Sequence, residues 1–181
     1  MLLLLPNTPQ TQYYHNQGKI FGTYYNIRYE AAEDYHDSIK TAFKTIDQSL
    51  SMFNPNSVIS KINRNDSVIL DSLFITMFNE AQSISQVSNG AFDITVRPLV
   101  NAWGFGTNNR KSNEAIRELN DEAIIDSIMA FVGYKKTRLK DYRIEKNDER
   151  ITLDASAIAK GYACDIVANT LRKQGCKNLL V

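Results

Sequence analysis

The chain has 181 residues, 43% of them hydrophobic and 23% charged, which is the make-up of an ordinary soluble domain able to bury a sizeable core. Twenty-one Lys and Arg against 20 Asp and Glu leave a formal charge of +1, with no stripe of basic residues of the kind that phosphate-backbone binding needs. Nucleic acid is therefore excluded as an expected partner.

The N-terminus opens MLLLLP, too short to span a membrane or to be a whole signal peptide; it reads either as the tail of a longer apolar segment or as a frayed terminus. Residues 6–18 are rich in Asn, Gln, Thr and Pro without apolar period. Residues 1–18 are thus expected to be a disordered tether or a remnant of a signal segment, and residues 19–181 the folded part.

KIFGTYYNIRYE (19–30) alternates apolar and polar side chains and predicts a strand. Ile39, Phe43, Ile46 and Leu50 then recur at helical spacing. In SMFNPNSVISKINRN, Asn54, Pro55 and Asn56 predict a turn and Ser57 a cap on a short helix. Asp71 or Ser72 is expected to cap a longer helix with the stripe Leu73, Met77, Ala81, Ile84 and Val87, ended by Gly90 in a left-handed conformation. Residues 107–119 read as a loop, and Asp121 to Phe131 as a helix stopping at Gly133.

Tyr142 to Glu145 and Ile151 to Asp154 flank NDER like the two strands of a hairpin. A helix from Ile158 to Gln174 carries Ile158, Tyr162, Ile166 and Leu171, Gly175 closes it, and NLLV opens a strand. Strand 151–154, helix and strand 178–181 fit a right-handed crossover, so the order of elements predicts an α+β domain, a mixed sheet with packed helices. Cys164 and Cys176, at opposite ends of that helix, would lie roughly 18 Å apart, beyond disulfide reach. Val181 falls inside the last strand pattern, which suggests either a chain that continues or a docked edge strand.

Two segments carry candidate chemistry. In LDASAIAKGYACD (153–165), Asp154 precedes a helix whose backbone N–H groups suit a phosphate, Lys160 lies in its first turns, and Gly161 and Ala163 permit close approach. Asp154 has acceptor capacity for a ribose or a base edge. The structural alternative makes Asp154 a helix cap, Lys160 a solvated residue and the small residues a packing contact. In GAFDITVRPLVNAWGFG (90–106), Thr95 suits the cap of a turn interrupted at Pro98. Phe92, Trp103 and Phe105 suit either a ring sandwich or the core, and the core is preferred for Trp103 and Phe105.

Together, in order and separation, these segments resemble the FAD:protein FMN transferases. The Gly-Thr pair of KIFGTYYNIRY and the Ser57, Ser60, Asn63 pattern resemble the same family, so the likeness runs from residue 19 to 165. The resemblance implies a flavin-transferase type of fold and magnesium-dependent transfer of FMN from FAD to a Thr hydroxyl of an acceptor protein, with release of AMP. It implies FAD contacts at Phe21, Phe53, Ala91, Phe92, Asp93, Asp154 and Lys160, and a metal contact through the carbonyl of Ala157. Phe21 stands where the family has Met, and Phe53 where it often has Tyr; both keep an apolar surface.

The family pattern continues past the last strand into a glycine-rich turn and segments bearing most metal ligands. The resemblance therefore implies a chain apparently truncated at the C-terminus, its N-terminal part being present and its activity alone not expected. The alternatives are a metal-dependent FAD hydrolase and an inactive flavin-binding remnant. The family also implies an exported protein of the bacterial periplasm or cell envelope, often lipid-anchored, acting on an acceptor such as a redox-complex subunit.

Overall fold

The computed structural model describes residues 10–105 and 122–181. The loop expected at 107–119, Asp121 and the last glycine of the first motif lie outside the described residues. The chain divides into two compact units, Met1–Thr45 with Gly161–Val181, and Ile46–Lys160.

In the first unit, β1 (Gln12–Ile20) and β2 (Thr23–Ala31) form an antiparallel hairpin in register from Gln12↔Ala31 to Ile20↔Thr23. The tether expected through residue 18 is therefore corrected from Gln12 onward, and the single strand expected over 19–30 is the end of β1, a turn and β2. The side chains of β1 are polar, which hid the strand, but they alternate: Tyr13, His15, Gln17 and Lys19 are exposed while Tyr14, Asn16, Gly18 and Ile20 are more covered. Phe21 and Gly22 make the two-residue turn, both with positive φ (51° and 71°), the backbone twist that tight hairpins prefer.

β5 (Leu179–Leu180) pairs antiparallel with β2, giving the order β1-β2-β5. The expected crossover is thereby overturned, because β5 joins an antiparallel neighbour and Ile151–Asp154 is not in this sheet. Helix α1 (His36–Leu50) buries Ile39 and Phe43 in this unit. Helix α6 (Ala159–Lys173) buries Ala163, Val167, Ala168 and Leu171 rather than the stripe through Ile158, Tyr162 and Ile166. Gly175, at φ 89°, follows it. Cys164 is exposed, Cys176 is buried, and both are free thiols.

In the second unit, Ser57 caps α2 (Val58–Asn63) by accepting the Ser60 N–H at 3.1 Å. Asp71 caps α3 (Ser72–Val87) by accepting the Phe74 N–H at 2.7 Å. The buried face of α3 is Phe74, Met77, Phe78, Ala81 and Ser85, so Met77 and Ala81 are buried as expected, while Ile84 and Val87 are 38% and 81% exposed and Phe74, Phe78 and Ser85 complete the face. Both sets have helical spacing, and the two stacked phenylalanines decide which one faces inward. Asn89 and Gly90 both take positive φ after α3, and the Gly90 N–H closes on the Ser85 carbonyl at 2.8 Å.

Helix α4 (Arg97–Ala102) has Pro98 in its first turn, so the proline starts a helix instead of interrupting one. It packs against α5 (Glu122–Met129). The expected hairpin has a different partner: β3 (Thr137–Lys140) pairs with β4 (Arg143–Lys146) across Asp141 and Tyr142, both at positive φ. Ile151, Leu153 and Ala155 are fully buried, but residues 151–155 form no strand.

Candidate nucleotide site

Residues 151–155 have no β partner, so their backbone groups are satisfied by side chains and by single backbone bonds to other segments. Asn63 Nδ2 donates to the Leu153 carbonyl at 2.8 Å, and the Leu153 N–H donates to Asn63 Oδ1 at 2.7 Å. Lys146 Nζ donates to the carbonyls of Ile62, Glu149 and Ile151 at 3.1, 3.3 and 2.9 Å. Burial pushes the Lys146 ammonium below its ordinary range, against the pull of Glu149 and Asp148. The Ser57, Ser60, Asn63 spacing thus ends on a residue that braces the second motif.

At Asp154 the two motifs meet. Its N–H donates to the Ile94 carbonyl at 2.7 Å. Its Oδ1 accepts the Ser156 N–H at 2.8 Å, an Asx turn ahead of α6 rather than a cap on the helix itself. Its Oδ2 lies 3.9 Å from a guanidinium nitrogen of Arg97, and the side chains are only 8% and 14% exposed. Burial lowers the Arg97 pKa while Asp154 raises it. Arg97 was not singled out by sequence; the available signal was a basic residue inside the apolar run of the first motif.

Asp93 is committed internally. Oδ1 accepts the Thr95 N–H and hydroxyl at 2.7 and 2.6 Å, and Oδ2 accepts the Tyr134 N–H at 2.6 Å. The fully buried Thr95 hydroxyl in turn accepts the Gly133 N–H at 2.7 Å, so Thr95 ties the motif to Gly133, as Asp93 ties it to Tyr134, and does not cap the turn expected before Pro98. Between these bonds the loop carries exposed Ala91 and half-buried Phe92, whose N–H donates to Ser88 Oγ at 3.1 Å.

Lys160 is exposed in the first turn of α6, and Ala157 is exposed in the turn before it. Among the described residues no group of three or more His, Cys, Asp or Glu stands ready for a metal. The residues described do not by themselves fit an octahedral oxygen shell around a magnesium ion at Ala157. Phe53 is 73% exposed. Trp103 and Phe105, expected in the core, are 39% and 84% exposed, because α4 turns its buried side at Ala102 and leaves its C-terminal aromatics outward. Phe21 belongs to the other unit, where its ring stands edge-on to Phe43 at 6.0 Å. The geometry therefore brings Asp93, Asp154 and the 91–92 loop onto one braced assembly, built by Ile94, Thr95 and Arg97.

Comparison with known proteins agrees with the two motifs. The chain is 28% identical over 190 residues to an FAD:protein FMN transferase of Vibrio cholerae, covering 100% of this chain and 55% of that protein. It is 30% identical over 179 residues to one of Haemophilus influenzae, covering 91% and 50%. Among solved structures, a flavin transferase ApbE from Vibrio cholerae superposes with a TM-score of 0.81 at 26% identity, covering 94% of this chain and 56% of that one. The chain spans about half the length of the curated relatives it matches. The α+β fold expected from the sequence is that of these structures. With the ApbE family profile matching residues 21–181, the chain belongs to the ApbE family.

Proposed function

We propose that this chain supplies part of the FAD site of an FAD:protein FMN transferase, which moves FMN from FAD to a Thr hydroxyl of an acceptor protein and releases AMP. The observation that carries the reading is the junction at Asp154, where the family's two motifs are joined by the bond to Ile94 and by the contact with Arg97. The relatives named FAD:protein FMN transferases support it.

In that reaction the Thr oxygen forms a bond to the FMN phosphorus, the diphosphate bridge breaks, AMP departs with the bridging oxygen, and the hydroxyl proton passes to a base. Ala91, Phe92, Asp154 and Lys160 are the proposed nucleotide contacts, with Phe53 as an apolar surface for a flavin ring; a contact at Phe21 rests on the family resemblance alone. Asp93 shapes the loop that carries Ala91 and Phe92. Magnesium dependence, with the Ala157 carbonyl as one ligand, belongs to the same reading. The part assigned to this chain is to hold the nucleotide. Export to the cell envelope, a lipid anchor and a redox-complex subunit as acceptor rest on the family resemblance.

Mass spectrometry of an acceptor protein incubated with FAD, magnesium and the full-length enzyme tests the proposal. An FMN adduct on a Thr supports transfer, and free FMN and AMP with no adduct removes it.

A further inference from the structure

We propose that Arg97 is a positioning residue of the nucleotide site, fixing the Asp154 side chain as an anionic acceptor for a hydroxyl or N–H donor of the nucleotide. The inference rests on the FAD reading of Asp154 given above.

A buried carboxylate beside a largely covered guanidinium is a poor way to build a turn. The Asx turn needs only an oxygen for the Ser156 N–H, and an asparagine supplies one without a charge. Desolvating a carboxylate and a guanidinium costs on the order of what their attraction returns, so such a pair is weak evidence of a purely structural role. The carboxylate offers about four lone-pair sites, more than the Ser156 N–H occupies. Arg97 opens α4, and the Ile94 carbonyl that receives the Asp154 N–H lies three residues before it. One segment thus holds both the backbone and the side chain of Asp154. A cation fixed beside Oδ2 holds the carboxylate in one orientation.

The test uses the full-length protein, with FAD affinity read by flavin fluorescence, kcat and KM by FMN transfer, and folding by urea titration. Asp154→Asn is expected to weaken FAD binding about tenfold and Arg97→Met by about five- to tenfold, with Arg97→Lys restoring affinity to within about threefold. The double variant is expected to lose about as much as Asp154→Asn alone, because Arg97 acts through Asp154. The loss appears in KM, with kcat within about twofold. Arg97→Gln preserves length and polarity should Arg97→Met not fold.

Losses that multiply in the double variant overturn the proposal. So does a folded Arg97→Met or Arg97→Gln protein that binds FAD like wild type while only its urea midpoint moves. Wild-type FAD affinity in Asp154→Asn is the separate result that removes the reading of Asp154 itself, and the inference with it.

Discussion

The side-chain amide of Asn63 pairs with both backbone groups of Leu153, 90 residues away, as a neighbouring strand would. Leu153 is fully buried, so no water replaces either bond. Asn63→Ala is expected to cost about 2–4 kcal/mol, from two buried groups left unsatisfied. Asn63→Asp keeps the acceptor for the Leu153 N–H but sets a carboxylate oxygen against the Leu153 carbonyl, so it should cost at least as much as Ala. Urea denaturation of both variants checks this, and a loss for Asn63→Ala under about 0.5 kcal/mol contradicts the brace.

Gly18 faces Tyr25 across the hairpin, and a Cβ at Gly18 would lie 2.7 Å from the Tyr25 hydroxyl and 2.8 Å from two ring carbons. The ring has little freedom to retreat, since its hydroxyl hydrogen-bonds to His36 Nε2 at 2.8 Å and its centroid lies 4.8 Å from that of the tilted Phe43 ring. Gly18→Ala is expected to destabilise by about 1–3 kcal/mol. In a Tyr25→Ala background most of that cost should disappear, a non-additivity that a thermal double-mutant cycle reads directly.

Thr95→Val keeps the shape of a fully buried side chain but deletes the hydroxyl shared by Asp93 and the Gly133 N–H. The expected loss is about 1–3 kcal/mol, together with faster amide exchange at Gly133 and Tyr134. Hydrogen exchange unchanged at those two amides would sink the idea that they depend on this loop.

Asp34 Oδ1 accepts the Tyr29 hydroxyl at 2.7 Å, the His36 N–H at 3.0 Å and the Asn16 amide at 3.2 Å. The Tyr29 hydroxyl above all holds the Asp34 carboxyl below its ordinary 3.8. Burial and Asp34 in turn push the Tyr29 pKa up. A depressed folded value means stabilisation present above about 3.8 and lost as pH falls through the folded pKa. Asp34 is solvent-exposed, so screening discounts the effect: Asp34→Asn is expected to be less stable than wild type at pH 7 by about 0.5 kcal/mol or less, the gap narrowing toward pH 3. An equal gap at both pH values refutes the linkage.

How far sequence alone reached depends on the range of the forces involved. The caps at Ser57 and Asp71 and the glycine after α6 were legible because each acts within a few residues of its own chain. The stripe of α3 was harder, since helical period permits adjacent faces and only packing selects the one holding Phe74 and Phe78. The hairpin of β3 was missed because its turn uses Asp141 and Tyr142 in left-handed conformations, without the glycine that usually marks one. β1 was missed because an edge strand with a solvated face needs few apolar side chains.

At the candidate site the division is similar. Residue types and their order determined the family, since the two motifs and the Ser57 to Asn63 pattern stand plainly in the chain. Only the tertiary structure decided that Asp93 spends its second carboxylate oxygen on the Tyr134 N–H, that Asn63 replaces a missing strand, and that Arg97 stands against Asp154. Those contacts join segments far apart in sequence. Local propensity is blind to them, because their energy comes from burying polar groups that must then be satisfied by whatever residue the fold brings near.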